Sequence, residues 1–331
     1  MEKEQQLQTT CLLILTVIAT ATALAYLKPV MVPFILALLV TLTLTPIIDI
    51  QKKHLKFPHW LAVLISLAIG GVVVFLIGTV LSVSINQMLS NADSYQTKII
   101  ELVEKITIAL NLERFGIDSR ELIVPTLQNA GKSVGNMVLG TFNTVIGLFS
   151  RSILVFIFVL FLLIGGKNSA KPQSPSWDEG ELRIKKYIIT KLIISSATGI
   201  LVALVLSIFN IDLALAFGLL AFILNFIPSV GSMIATLLPL PVILLTPEIS
   251  KPAMIMAIAI PGVIQFAIGN VLEPKIMGDS IGLHPITILL ALIFWGIIWG
   301  IVGMFLAVPL AVILKIIFSK IDYTRELATK M

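Results

Sequence analysis

The stretch Phe222-Ile-Leu-Asn225-Phe-Ile-Pro228-Ser-Val-Gly231-Ser232 lies inside an apolar run of over thirty residues, Leu213 to Leu245. A run that apolar belongs in a membrane as a helix, yet this one carries its own interruption. Pro228 has no N–H and clashes with the turn before it, and Gly231 relaxes the backbone. Asn225 and Ser232 place polar groups beside the break. Backbone opened in hydrocarbon leaves N–H and C=O groups without partners, which is tolerated only where protein or a wet cavity covers them. Pro228–Gly231 therefore reads as a substrate or ion site, and the rest of the chain as its frame.

Of the 331 residues, 57% are hydrophobic and only 12% charged, where soluble chains carry about 25%. The chain reads as an all-α polytopic membrane protein. At about 20 residues per crossing it has about six to eight transmembrane segments, with broken or re-entrant helices in the C-terminal half. The net charge of +5 does not imply nucleic acid, because surplus Lys and Arg mark cytoplasmic loops in such proteins. A single Cys11 excludes an intrachain disulfide framework, and His54, His59 and His284 are too scattered for a metal site. No nucleotide-binding, serine-hydrolase or zinc-protease motif is present, so no cofactor is expected and transport would be secondary or would need a partner.

Cys11–Leu27 is the first apolar segment. Met1–Thr10 carries two Glu and one Lys, where a signal peptide would be basic, so the segment reads as a retained helix. Met31–Ile48 is the second span, with Thr41, Thr43 and Thr45 bonding to their own helix and Pro46 near its end. Asp49–His59 is a short loop with Lys52, Lys53 and Lys56. Trp60–Val83 is the third span, anchored by Trp60 at the interface and packed through Gly70-Gly71.

Ile85–Asn143 holds five basic and six acidic residues and is too polar to span. Ile99, Leu102, Val103, Ile106 and Leu110 recur at helical spacing, and Asp118 with Glu121 resembles a capping box. The segment reads as a helical excursion, a connector or contact surface rather than a lid. Thr144–Gly165 is the fourth span, with Arg151 near enough to its start to snorkel. Gly166–Lys191 holds six basic and three acidic residues: a loop around Lys171-Pro-Gln-Ser-Pro-Ser, then an interfacial helix from Glu181 to Lys191. Leu192–Phe209 is the fifth span, with Ser195, Ser196 and Thr198 grouped on it. Loops 49–59 and 166–191 and the tail from Lys315 are basic, which places both termini in the cytoplasm and the excursion outside.

Leu213–Leu245 and Pro285–Phe318 each exceed thirty residues. Each is either a long, tilted, broken helix or a re-entrant hairpin. They echo each other. Phe222 to Val230-Gly231 has the spacing of Phe294 to Val302-Gly303, and Pro239-Leu-Pro-Val-Ile-Leu244 resembles Pro309-Leu-Ala-Val-Ile-Leu314. Echoes arise easily in apolar sequence; a true duplication would fit transporters built from repeated, interrupted helices. Between the runs Pro252–Ile268 is a further span, ending in the polar cluster Gln265 to Asp279. Asn270 and Glu273, three apart, would share a helix face. Pro274 biases Glu273 to an extended conformation and ends the helix there. Glu273 beside Lys275 is either a solvated turn or a gating pair, with Glu273 the carboxylate for a cation or proton. Gly296, Gly300 and Gly303 read as helix-packing positions, and Trp295 and Trp299 as packing or interface residues.

Asn225-Phe-Ile-Pro228-Ser-Val-Gly231, Asn270-Val-Leu-Glu273-Pro274-Lys275-Ile-Met-Gly278, His284-Pro285, Gly300-Ile-Val-Gly303 and Val308-Pro309 together resemble the autoinducer-2 exporter family. The resemblance covers nearly the whole chain. Many members carry a second proline after the glycine of the first motif; here Ser232 stands there, which changes the setting of the break. The resemblance implies a multi-pass transporter of the bacterial inner membrane, homo-oligomeric, exporting a small polar signal such as autoinducer-2. Some relatives are described as sodium or lithium/proton antiporters, which makes that the rival function, with a proton or sodium as coupling ion. A scaffold recruiting partners through 85–143 is the reading from a different class. An intramembrane enzyme is the least expected, because no nucleophile–base or metal set is visible.

The domains expected are 1–83, N-terminal spans; 84–143, the excursion; 144–209, central spans with the basic loop 166–191; 210–318, the transport core; and 319–331, a cytoplasmic tail. The binding or gating residues expected are Asn225, Pro228, Gly231 and Ser232 at the break, with Gln265, Asn270, Glu273 and Lys275. The partners are a small polar solute, the lipid bilayer and further copies of the chain, with no nucleic acid.

Overall fold

The computed structural model describes residues 2–91, 97–98, 100–101, 153–165, 175–246, 249–277 and 282–320. Asp118 and Glu121, Arg151, Lys171 to Ser174, Gly278, Asp279 and the tail beyond 320 lie outside them, as do all five residues of the excursion's apolar periodicity. No strand occurs among the described residues. The chain is an all-α polytopic membrane protein.

Its helices are α1 (Glu2–Tyr26), α2 (Lys28–His54), α3 (His59–Ser90), α4 (Ile153–Gly165), α5 (Pro175–Ile208), α6 (Ala214–Leu224), α7 (Val230–Leu237), α8 (Leu240–Leu245), α9 (Lys251–Ala267), α10 (Glu273–Met277), α11 (Pro285–Trp299) and α12 (Ile301–Lys320). A π-helical turn, Ile268–Leu272, joins α9 to α10. Lys28–His54, His59–Ser84, Glu181–Ile208, Lys251–Ile276 and Ile301–Lys320 are long and apolar enough to cross a membrane, while α4, α6, α7–α8 and α11 are shorter apolar helices. The outward faces are apolar, with Phe75 at 68% and Ile297 at 81% exposure, and the inward faces carry Ser66, Lys191, Ser195, Thr198 and Asn225. That inversion is what lipid as solvent demands.

Thr43 and Thr45 donate to the Leu39 and Thr41 carbonyls at 2.8 and 2.7 Å, so these hydroxyls are satisfied locally; the expectation is corrected for Thr41, whose buried hydroxyl makes no such bond. Three boundaries differ from expectation. Pro46 lies inside α2, which runs on through Lys52 and Lys53 to His54, so the loop before α3 shrinks to 55–58. The first residues of the excursion, 85–90, continue α3. The interfacial helix and the fifth span are one continuous helix, α5, with Lys191 in its interior rather than at its edge.

The chain forms two compact units. One contains 1–66, 150–190 and 277–331, and the other 67–149 and 191–276. In the first, α11 and α12 form a hairpin turned at Gly300, whose φ of 70° and ψ of −147° suit glycine alone. Gly303 is buried, and a Cβ there would overlap the carbonyl of Trp295. Residues eight apart on one helix would be separated by about 12 Å, so this contact shows the run folded back on itself. Leu306 to Val312 is buried all round, and Pro309 sits inside α12 without breaking it. Trp299 Nε1 donates to the Leu24 carbonyl of α1 at 3.0 Å, and Phe34 of α2 meets Phe158 of α4 edge to face at 5.5 Å.

In the second unit Val202, Leu206, Phe217, Ala221, Ala235, Ile243 and Ala257 belong to one apolar core shared by α5 to α9. Here too the long run folds back: a Cβ on Gly231 would overlap the Leu224 carbonyl, seven residues earlier. Both runs are therefore hairpins, and the glycines that matched in sequence occupy matching places against a backbone carbonyl.

Candidate functional site

All the expected site residues fall in the second unit. The site starts on α5. Lys191, Ser195 and Thr198 stand at i, i+4 and i+7, so they share a face, and none is more than 1% exposed. Thr198 Oγ donates to the Ile194 carbonyl at 2.8 Å; Lys191 and Ser195 look elsewhere for partners.

Small residues bring α6 to this face. A Cβ on Gly199 would crowd the Gly218 carbonyl, and one on Gly218 would crowd Ala203. Backbones approach this closely only where side chains are absent. The approach carries Asn225, at the C-terminal end of α6, onto the stripe. Asn225 is 3% exposed, and its Nδ2 donates to Ser195 Oγ at 3.0 Å.

Beyond Asn225 the helix opens. Ser229 has φ 58° and ψ −48°, a left-handed setting rare for a side-chain-bearing residue. It centres a γ-turn in which Val230 N–H donates to the Pro228 carbonyl at 2.7 Å, the rarer and strained form of that turn. Ser229 Oγ donates to the Pro228 carbonyl at 2.7 Å and Ser232 Oγ to the Ser229 carbonyl at 3.0 Å. Gly231 N–H returns to the Ile227 carbonyl at 3.0 Å. Hydroxyls and a tight turn thus cover backbone that the missing helical ladder would have covered. Ser232 stands where a second proline is common, and its hydroxyl performs part of this covering.

The third wall is α9 with its π-turn. Ala257, Pro261 and Gln265 form its buried face, continued by Ile268. A π-turn spends one extra residue, which sets back everything beyond it by about 100° of rotation. Glu273 thereby takes the face position that Leu272 would hold on an uninterrupted helix. Leu272 is 42% exposed, whereas the Glu273 side chain is 17% exposed. Glu273 remains helical, with φ −61° and ψ −51°. The expectation that Pro274 forces it extended and ends the helix is corrected: α10 continues through Pro274 to Met277, because Pro is admissible in the first turn of a helix.

Glu273 pairs with Lys191, whose Nζ donates to Glu273 Oε1. The expected Glu273–Lys275 pair is also corrected: Lys275 is exposed. Asn270 is exposed as well, with Nδ2 donating to the Phe266 carbonyl at 3.2 Å, since the π-turn separates its face from that of Glu273. Gln265 is 3% exposed with both amide atoms lacking a hydrogen-bond partner. A Cβ on Gly269 would lie 3.9 Å from Ser232 Oγ, so the break and the π-turn adjoin. The structure pairs Glu273 with Lys191 and Asn225 with Ser195, sets Ser232 beside Gly269 of the π-turn, buries Gln265 on the α9 face that precedes that turn, and leaves Asn270 and Lys275 exposed.

Sequence reasoning missed Lys191 by counting it with the basic loop. The signal was present in its spacing to Ser195 and Thr198. A second polar locus lies at the turn before α6. Asp212 accepts from Gln87 Nε2 at 2.7 Å and Asn91 Nδ2 at 2.6 Å, and Gln87 Oε1 accepts from Leu213 N–H at 3.2 Å. These bonds tie α3 to a turn strained at Asn210 and Leu213, with φ 52° and 64°.

An interrupted hairpin inside apolar spans, with a buried amide beside it, is a feature that polytopic membrane transporters use. A family model for AI-2E family transporters matches residues 12–322, and the chain belongs to that family of membrane transporters. It is 29% identical over 282 residues to the AI-2 transport protein TqsA of Escherichia coli, covering 81% of this chain and 79% of that one. It is 27% identical over 315 residues to a transport protein of Haemophilus influenzae, covering 89% and 88%. It is 24% identical over 294 residues to a sodium-lithium/proton antiporter of Halobacillus andaensis, covering 81% and 83%.

Proposed function

We propose that this chain exports a small polar signal molecule such as autoinducer-2 across the bacterial inner membrane, with both termini in the cytoplasm and several copies per assembly. In this reading the solute passes along the polar groups that α5, the α6–α7 break and the helix after the π-turn contribute. The observation that supports this most is the Lys191–Glu273 pair set one helical turn from the Ser195–Asn225 hydrogen bond. The site is polar but carries no net charge, which suits a hydroxyl-rich neutral solute. Hydroxyls, an amide and helix-end carbonyls hydrogen-bond such a molecule without a counter-ion. The competing function, sodium- or lithium-for-proton exchange, needs a carboxylate open to a cation, and Lys191 holds this one. The similarity to the Escherichia coli transporter agrees with the solute reading.

The test uses purified protein in liposomes, following autoinducer-2 flux and internal pH together, with and without a sodium gradient. Signal flux without proton movement is the expected result. Sodium-driven proton movement without signal flux would replace this reading with the antiporter. Equal flux in wild type and Glu273→Gln at matched expression would remove Glu273 from the mechanism.

A further inference from the structure

Lys191 is an expensive residue for its position. It lies inside a membrane-length helix, is 1% exposed, and its ammonium contacts Glu273. A buried ammonium costs several kcal/mol unless a counter-charge meets it, and a buried carboxylate incurs the same penalty. Neither is required for neutrality: an amide on each helix would give a neutral polar wall at lower cost. The chain keeps the carboxylate and supplies its own cation.

The polar side chains that follow Lys191 on its face of α5, and the one that α6 brings to that face, carry oxygen, the ligand atom that suits a hard monovalent ion. Ser195 Oγ lies one turn along α5 from Lys191, and it already accepts from Asn225. Asn225, held on that hydroxyl through Nδ2, carries an amide oxygen as well. No group of three or more His, Cys, Asp or Glu exists among the described residues, which leaves the softer and divalent metals without a ligand set. The hairpin from 213 to 246 contributes no charged side chain. One carboxylate, neutral oxygens and one positive charge compose the site, and here the positive charge is covalently attached.

We infer that Lys191 is a tethered cation, occupying at Glu273 the place an alkali ion would take and thereby making the site independent of sodium. It is a specificity-determining residue, acting on which ion the site needs rather than on which solute it carries. The inference rests on the proposed reading that this pair belongs to the transport site.

Its test is a binding measurement that does not require transport. Lys191→Ala removes the ammonium and leaves space beside the carboxylate. Thermal unfolding of purified wild type, Lys191→Ala and Lys191→Ala/Glu273→Gln is followed in sodium, lithium and choline chloride. The expected result is that Lys191→Ala is destabilised in choline and recovers progressively with sodium or lithium, as for any ligand that binds only the folded state. Wild type and the double variant should not respond. Recovery of folded Lys191→Ala only when sodium is present counts as the same result. Lys191→Gln carries the same expectation with a smaller shift, and it serves where the alanine variant fails in every salt. A sodium response in wild type as large as in the variant would overturn the inference, as would no sodium or lithium response in either single variant. Failure of either kind leaves the solute reading standing, because that reading is judged by flux in liposomes.

Discussion

The two hairpins, α6–α7 and α11–α12, use one backbone device for different ends. Each folds a run of over thirty apolar residues back on itself and seats a buried glycine, Gly231 or Gly303, against a carbonyl of the preceding helix. The turns differ. At Gly300 the chain reverses on a residue made for that conformation, and the neighbouring side chains are Trp295 and Trp299, their ring centroids 4.5 Å apart and their planes tilted by 40°. At Ser229 it reverses on a residue that is strained there, held by two hydroxyl bonds and flanked by Asn225. The first turn could be replaced by apolar packing. The second commits Asn225 to the interior, where it finds its partner on α5. A shared hairpin is thus a framework, and the side chains at its turn decide whether it becomes a site. Strain held at one turn and absent from the other agrees with that division, since such outliers concentrate at functional positions.

The comparison is most exposed at the glycines. Gly231→Ala and Gly303→Ala are each expected to cost more than about 4 kcal/mol, because the added carbon meets backbone that cannot move aside. Loss of monodisperse protein in detergent for both variants would confirm the common device; a benign Gly303→Ala would break it. Next comes Glu273→Gln, which leaves the Lys191 ammonium buried without its counter-charge. It is expected to destabilise by about 3 kcal/mol, and Lys191→Gln/Glu273→Gln to recover part of that loss. Thermal unfolding of the single and double variants measures the coupling. Asn225→Ala and Trp299→Phe then separate site from framework. Each removes one buried hydrogen bond worth about 1 kcal/mol, but only Asn225→Ala should lower solute flux in liposomes, by tenfold or so if the bond is made in the transporting state. Equal flux in the two variants would erase the distinction between the hairpins. Lys275→Gln should be the smallest, within about 0.5 kcal/mol and without effect on flux, because the side chain is exposed.

Much of the fold was legible because a bilayer leaves few options. Apolar runs of membrane length had to be helices, and a proline with a glycine three residues on had to open one of them. Thr43 and Thr45 had to bond within their own helix. The position of the break, its polar neighbours Asn225 and Ser232, and the importance of Glu273 follow from residue types in order along the chain. Three things do not. Whether a long apolar run tilts or folds back depends on contacts between Gly231 and Leu224 and between Gly303 and Trp295, which composition does not encode. The face on which Glu273 lies depends on a π-turn, and nothing in Ile268–Leu272 announces the extra residue; helical periodicity carried past it points Glu273 toward Asn270 instead. The partner of Glu273 lies 82 residues away, on a helix whose basic start made Lys191 look like part of a loop. Local rules fix what each segment prefers, since propensity, proline and hydropathy act over a few residues. Asn225 meets Ser195 where Gly199 and Gly218 let two backbones approach, Lys191 meets Glu273 across 82 residues, and only the folded chain brings those groups together.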